Sequence, residues 1–295
     1  MNITKVEKRK LKNDNILSVG VFVRFNDEPD KMFKRVREAG FRHCQLAAPP
    51  DSCIFGRAGR IMTQKLLNAI EENEITVTSV FMSFPGQKWD KEHAHATLGL
   101  VPEEFRAERM VRACRIGNWA REIGVDEVVA HVGFIPEDGA GALYKRFIGA
   151  MRLLALFLES NRQHFTFETG QEKVDVLDRT IKDIGTDNLG INFDPANLLL
   201  YDMDDPAYLV EKLGRYVMHI HCKDGVRPRQ KGEMGTETRL GEGDVGFEKL
   251  LRDLYAIGFR GPLTIEREIA PGPEQNQDIL LAKQLIEKIK KELVK

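Results

Sequence analysis

Four short segments in the second half of the chain each run through apolar residues into a side chain that can bind a metal ion. HFTFETGQE reaches Glu168, GINFDPAN reaches Asp194, YVMHIHCKD carries His219 and His221, and GPLTIERE reaches Glu266. A charge at the end of a buried apolar run is costly when unpaired, so four in succession need a common compensation. Three carboxylates and an imidazole around one point suit a divalent ion that accepts oxygen and nitrogen ligands: Mn²⁺, Co²⁺, Mg²⁺ or Zn²⁺. Taken singly, each residue has a plainer explanation. Asp194 directly before Pro195 is also what a helix N-cap requires, and one of the two histidines can be a core histidine satisfied by a neutral partner. His219 and His221 lie two apart, so on a strand they point to the same side, where one can bind an ion while the other supports it or contacts a substrate.

Positioning these groups requires strands that end side by side. Short apolar, β-branched runs alternate along the whole chain with longer segments of helical apolar spacing, the pattern of βα units and a parallel sheet. Eight such runs are read, at Ile16–Phe25, His43–Ala48, Ile75–Phe84, Glu127–Phe134, Phe165–Glu168, Leu189–Asp194, Tyr216–His221 and Pro262–Glu266. Helical stripes lie between them, for example Met32, Phe33, Val36 and Ala39, or Leu143, Phe147, Met151, Leu154 and Leu158. The phrases AGFRHCQL, IGVDEVVA, IGTDNLGI and IGFRGPLT each put a glycine just past a stripe and shortly before a strand, as a helix C-terminus followed by a short loop requires. Eight units in about 250 residues predict a (β/α)8 TIM barrel, an α/β fold in which the C-terminal ends of the strands converge on one mouth. A doubly wound open sheet competes, but it usually shows GxGxxG after its first strand, where this chain has VGVFVRFNDEPD. No linker splits the chain, so residues 1–295 read as one domain, with a charged extension over 1–15 and a final helix from about Glu274 to Leu293.

In that barrel the metal-binding candidates share the mouth. His131, ending the fourth run in VVAHVGF, faces it too, as a substrate contact, a partner of a ligand or a ligand. Phe81, Phe84 and Trp89 after the third run are either an apolar wall for a substrate or ordinary packing. Arg24 and Gln45, at the ends of the first two runs, are candidate polar contacts by position. His43, His93, His95 and His164 are read as surface residues.

Composition narrows the partners. The 44 basic and 45 acidic residues leave a formal charge of -1, so the overall balance does not suggest a polyanion. With 42% hydrophobic residues and 25 glycines the chain has an ordinary soluble globular composition, not that of a disordered, collagenous or membrane-embedded one. Cys44, Cys53, Cys114 and Cys222 lie far apart without a CxxC pair, fitting reduced, mostly buried thiols. The charged start lacks an apolar leader core, and no stretch approaches the roughly 18 apolar residues of a membrane span. The expectation is a cytoplasmic protein with a small-molecule partner, no nucleic acid and no membrane, and with self-association left open.

FETGQE, NFDPANL, HIHCKD, LGEGDVGF and LTIERE, in this order and spacing, resemble the xylose isomerase-like TIM-barrel superfamily. The chain is most similar to its sugar phosphate isomerase/epimerase branch, which includes ketose 3-epimerases, hydroxypyruvate isomerase and inosose dehydratase. The resemblance covers nearly the whole chain from Ile16 onward, by specific motifs in the second half and by strand pattern alone in the first. It implies one divalent metal ion held by Glu168, Asp194, His221 and Glu266, with His221 preferred to His219 because it immediately precedes the triplet Cys222, Lys223 and Asp224. The candidate substrate-binding residues are His131 and His219, by position, Asn197, and Glu172, Lys223 and Arg227, by the resemblance. Arg227 stands six residues after the ligand histidine, where ketose 3-epimerases use an arginine, though it is equally a loop charge beside Arg229. Glu172 is equally a helix-start carboxylate favoured by the dipole. At Asn197 the ketose epimerases and the type IV apurinic endonucleases of the same superfamily carry a histidine, and an amide is a poor ligand for a second metal. Those endonucleases also place an aspartate and a histidine where Gly235 and Glu237 stand here. Together with the net charge, these departures argue against DNA repair.

The implied chemistry is proton transfer through a metal-bound enediolate, because an ion chelated by a carbonyl and a neighbouring hydroxyl acidifies the α-proton. Glu168 and Glu266, on opposite sides, would remove and return it. Return to the same carbon epimerises a sugar or sugar phosphate, return to the adjacent carbon isomerises it, and loss of a β-hydroxyl dehydrates a keto-sugar or keto-inositol. A non-catalytic sugar-binding barrel, its carboxylates merely holding a stabilising ion, would instead show a lost or apolar-replaced ligand.

Overall fold

Successive side chains of an extended run point to opposite sides, which gives each strand two faces, and in the computed structural model the runs close into a barrel. The structure describes residues 16–90, 92–230 and 232–294; the extension over 1–15 lies outside them. The strands are β1 (Val19–Val23), β2 (His43–Ala47), β3 (Thr76–Phe81), β4 (Glu127–Ala130), β5 (His164–Glu168), β6 (Leu189–Phe193), β7 (Val217–Cys222), β8 (Asp224–Val226), β9 (Thr236–Thr238) and β10 (Leu263–Ile265). Eight of them form the closed parallel barrel in the order β1-β10-β7-β6-β5-β4-β3-β2. Each predicted run overlaps one barrel strand, although β5 starts one residue before its run, at His164, and β7 ends one residue beyond its run, at Cys222. The antiparallel hairpin of β8 and β9 lies outside the predicted runs, since three-residue strands are too short to show a period.

The four repeated phrases end helices as expected. Gly40, Gly124, Gly185 and Gly258 have φ of 79°, 80°, 70° and 105°, which a side chain would strain. The final helix spans Pro273–Leu293. Among the described residues no helix is long and apolar enough to cross a membrane. All four cysteines are free, and burial pushes the Cys44 thiol up to about 12, which leaves it unreactive.

The outer strand faces supply the apolar layer beneath the helices, with Val19, Val21, Leu46, Val80, Val128, Phe165, Phe167, Ile191, Ile220 and Ile265 all buried. On β5, β6, β7 and β10 the inner faces are polar. Thr166, Asn192, His219 and Thr264 are buried and lie two residues before Glu168, Asp194, His221 and Glu266, so each forms the layer directly below a mouth residue. A contact of 3.2 Å between Gln45 on β2 and Asn192 on β6, strands far apart in the sheet order, shows that these side chains meet inside the barrel.

The loops at the mouth are held by a feature absent from the sequence reading. The helix Glu103–Glu122 buries Arg106, Arg109 and Arg112, one turn apart. Arg106 donates to the carbonyls of Leu100 and Val101, Arg109 to those of Thr97 and Gly99 at 2.7 Å each, and Arg112 to those of Ser83 and Pro49 at 3.0 Å each. Guanidinium donors in a fixed fork satisfy several loop carbonyls at once, and thereby pin the segments after β2 and β3.

Candidate active site

Glu168 closes β5, Asp194 follows β6, His221 lies on β7 and Glu266 follows β10, and each can present one ligand atom within 4.8 Å of all the others. His221 Nδ1 is 2.9 Å from Glu168 Oε1, 3.2 Å from Glu266 Oε2 and 3.7 Å from Asp194 Oδ2. Both explanations of Asp194 hold together. Its Oδ1 caps the helix Pro195–Leu200 by accepting from the Asn197 N–H at 3.0 Å, while Oδ2 faces the cluster.

The donor set fits a divalent ion. Asp194 Oδ2 and His221 Nδ1 are buried 3.7 Å apart without a hydrogen-bond partner among the described residues, and although Lys223 lies 3.4 Å from the oxygen, both atoms keep lone pairs that an ion between them would take up. The electrostatics agree. Burial opposes a charged His221, yet Glu266 and Glu168 raise its pKa well above the ordinary value. Glu168 is also buried, and His131 and His221 nevertheless hold its carboxyl far below the usual range. The pocket therefore stabilises positive charge at its centre.

The remaining sequence candidates separate in space. His131 belongs to the cluster's wall, with Nε2 2.9 Å from Glu168 Oε2 and its ring edge-on to Phe81 at 5.9 Å and to Trp89 at 5.1 Å. Phe84 is buried beside Arg109 and is not part of that wall. Glu172 is buried near His131, and burial pushes its carboxyl up to about 8, with His131 opposing in part. Asn197 is tied at both ends, donating to the Thr169 carbonyl at 3.2 Å and accepting from Lys223 at 3.3 Å. Gly170 permits this packing, since a Cβ there would stand 3.1 Å from that of Asn197.

Two candidates lie away from the opening. His219 is sealed one layer down, Nε2 2.6 Å from Thr264 Oγ1 and Nδ1 3.5 Å from both Ser79 Oγ and Glu127 Oε1. Arg227 is bound to Asp202 Oδ1 at 3.0 Å and to the Asp204 carbonyl at 2.7 Å, on the flank of the loop and outside the cluster. Arg24 is exposed.

With this geometry established, comparison with known proteins gives the lineage. The chain matches the model of the xylose isomerase-like TIM barrel over residues 33–291. It belongs to that family. A xylose isomerase domain protein from Planctomyces limnophilus is 34% identical, with 94% of this chain and 99% of that one covered and a TM-score of 0.88. A xylose isomerase-like TIM barrel protein from Mycobacterium smegmatis, crystallised in complex with magnesium, is 18% identical over 90% of this chain and 89% of that one, with a TM-score of 0.71. A D-tagatose 3-epimerase-like protein is 19% identical over 94% and 98%, with a TM-score of 0.70. These last two share the fold. The match to an uncharacterised curated relative from Methanocaldococcus jannaschii is 27% identical and spans 57% of that protein's length.

In this xylose isomerase-like barrel one sequence candidate, Gln45, takes a different role, and Gln171 and Asp224 join the site. Gln45 Oε1 is 2.6 Å from His221 Nε2, an inward contact and not a mouth contact. Gln171 is buried with both amide atoms unpartnered among the described residues. Asp224 explains why HIHCKD and LGEGDVGF occur together. Its carboxylate accepts from the N–H groups of Gly225 at 2.8 Å, Gly241 at 2.9 Å and Val245 at 3.1 Å, and a Cβ on Gly243 would stand 2.2 Å from it.

Lys223 proves to be a buried counter-charge. Its Nζ is 3.4 Å from both Asp194 Oδ2 and Glu266 Oε2 and is bonded to Glu268. Removing one member of such a group strands the others. Lys223→Met is therefore expected to cost about 3–5 kcal/mol in denaturant unfolding of the metal-free protein. A loss below about 1 kcal/mol, the level of an exposed ion pair, would show that the ammonium is not needed to balance the carboxylates.

Proposed function

We propose that this barrel is a divalent-metal-dependent sugar isomerase or epimerase that moves a proton at the carbon beside a carbonyl. The observation that carries the reading is the placement of Glu168 and Glu266. They come from strands separated by β6 and β7, yet each has an oxygen within 3.2 Å of His221 Nδ1. An ion held by Glu168, Asp194, His221 and Glu266, with Mn²⁺ or Co²⁺ as the first choice, would draw electrons from a substrate carbonyl and acidify the neighbouring C–H.

The chain's own residues then direct the proton. One glutamate removes it from one face of the carbon, and the other returns it from the opposite face, which inverts the centre. Return to the adjacent carbon exchanges aldose and ketose. Phe81 and Trp89 offer an apolar wall beside His131 for the carbon skeleton. Glu172, whose carboxyl burial pushes up to about 8, stands near His131 as a candidate contact for a substrate hydroxyl. The likeness to the D-tagatose 3-epimerase-like structure supports a carbohydrate partner, and the balanced charge supports the absence of a nucleic-acid partner.

The test is solvent deuterium exchange. Mn²⁺-loaded protein is expected to place deuterium beside the carbonyl in at least one of a panel of free and phosphorylated ketoses. Binding of ion and sugar without any exchange would make it a non-catalytic sugar-binding barrel, and loss of water from the substrate would make it a dehydratase.

A further inference from the structure

The mouth residues rest on a buried polar layer that the proton transfer does not use. Gln45 links the two. Its side chain is fully buried on β2 and reaches across the barrel to β7, with Oε1 2.6 Å from His221 Nε2. Its own Nε2 lies 2.8 Å from Ser79 Oγ and 3.2 Å from Asn192 Oδ1. An amide has two N–H donors at one end and an acceptor oxygen at the other. With both donors directed at Ser79 and Asn192, the oxygen is the end that faces the imidazole.

A neutral imidazole donates from one nitrogen and accepts at the other. A proton held on Nε2 by Gln45 therefore leaves the lone pair on Nδ1. That nitrogen is the one facing Glu168 and Glu266 and lacking a hydrogen-bond partner among the described residues.

We propose that Gln45 is a positioning residue for the metal centre: it fixes the Nε2–H tautomer and the ring orientation of His221, so that Nδ1 is presented to the ion. This rests on the reading that the four-residue cluster holds a divalent ion. Histidine ligands commonly donate their second N–H to an anchored acceptor, and here the acceptor is a neutral amide. Three carboxylates already crowd the site, so an uncharged acceptor orients the ring without adding a fourth negative charge. The brace is itself built from ligand-bearing strands. Asn192 stands two residues before Asp194 on β6, and Ser79 leads to His219, which is bonded to Thr264 two residues before Glu266.

Isothermal titration with Mn²⁺ at fixed pH tests this on the wild type, Gln45→Met and Gln45→Glu, with folding of each followed by circular dichroism. The wild type is expected to bind one ion per chain, and the near-isosteric methionine, whose thioether is only a weak acceptor for Nε2–H, to weaken binding about 10–100-fold. Glutamate keeps an acceptor oxygen, and Asn192 can turn its unpartnered Nδ2 toward it, so that variant should stay within about tenfold of the wild type and well above the methionine variant. Two-bond proton–nitrogen correlation spectra of histidine-labelled, Mg²⁺-loaded wild type should show the His221 proton on Nε2. A folded methionine variant with wild-type affinity, or a proton on Nδ1, overturns the role of Gln45. Should the methionine variant fail to fold, the spectrum and the glutamate variant decide, a glutamate loss of 100-fold counting against the proposal. Wild-type protein that binds no Mn²⁺ overturns the metal centre itself, and this is seen before any variant is made.

Discussion

Glu168→Gln and Glu266→Gln are each expected to lower kcat by about 10²–10⁴-fold, the usual contribution of a positioned acid or base, while the ion stays bound. An amide oxygen can still face the ion, but an amide cannot take up a proton. The surroundings accept the change. At position 168 the amide NH2 can turn to His131 Nε2, which stands 2.9 Å from Glu168 Oε2. At position 266 the loss falls on Lys223, 3.4 Å from Glu266 Oε2, which keeps Asp194 and Glu268 as partners. Deuterium incorporation measured on each variant, alongside its Mn²⁺ stoichiometry, separates lost proton transfer from lost metal. Full exchange in one variant removes that glutamate as a base. Persistence in both would shift the role to His131, because His219 is sealed in the layer below and cannot reach a substrate.

Removal of the ion should have the larger effect. Dialysis against EDTA is expected to abolish turnover, and Mn²⁺ or Co²⁺ to restore it. The chelated protein should also unfold more easily, because an ion that binds the native state alone stabilises it by about 2.7 kcal/mol at a hundred times its Kd. The stoichiometry should be one ion per chain, and Asn197→Ala should leave it at one, since that amide is committed to the Thr169 carbonyl and Lys223. Turnover undiminished after exhaustive chelation would end the metal reading. Two tightly held ions by elemental analysis would show that Asn197 does not close off a second site.

Much of this architecture was legible in the chain itself. Eight apolar runs, each followed by a helical stripe and in four cases preceded by a glycine now seen at positive φ, required parallel strands with short returns. The four mouth residues stood out because each ended a run in which a charge has no cheap place, and that signal is local. What the local pattern could not carry was the partner of each polar group. Gln45 and His221 are 176 positions apart, and Gln45 and Asn192 are 147 apart. Only closure of the barrel brings them within 2.6 and 3.2 Å, so the tautomer of the histidine follows from tertiary structure alone. The same holds for the charged candidates. Arg227 and Lys223 look alike as basic residues after a ligand histidine, yet the hairpin turns Arg227 onto Asp202 and the barrel mouth encloses Lys223 among carboxylates. Residue type and period determine which side chains face the barrel interior, whereas what they meet there depends on how eight strands twist shut, and that information is spread over the whole chain.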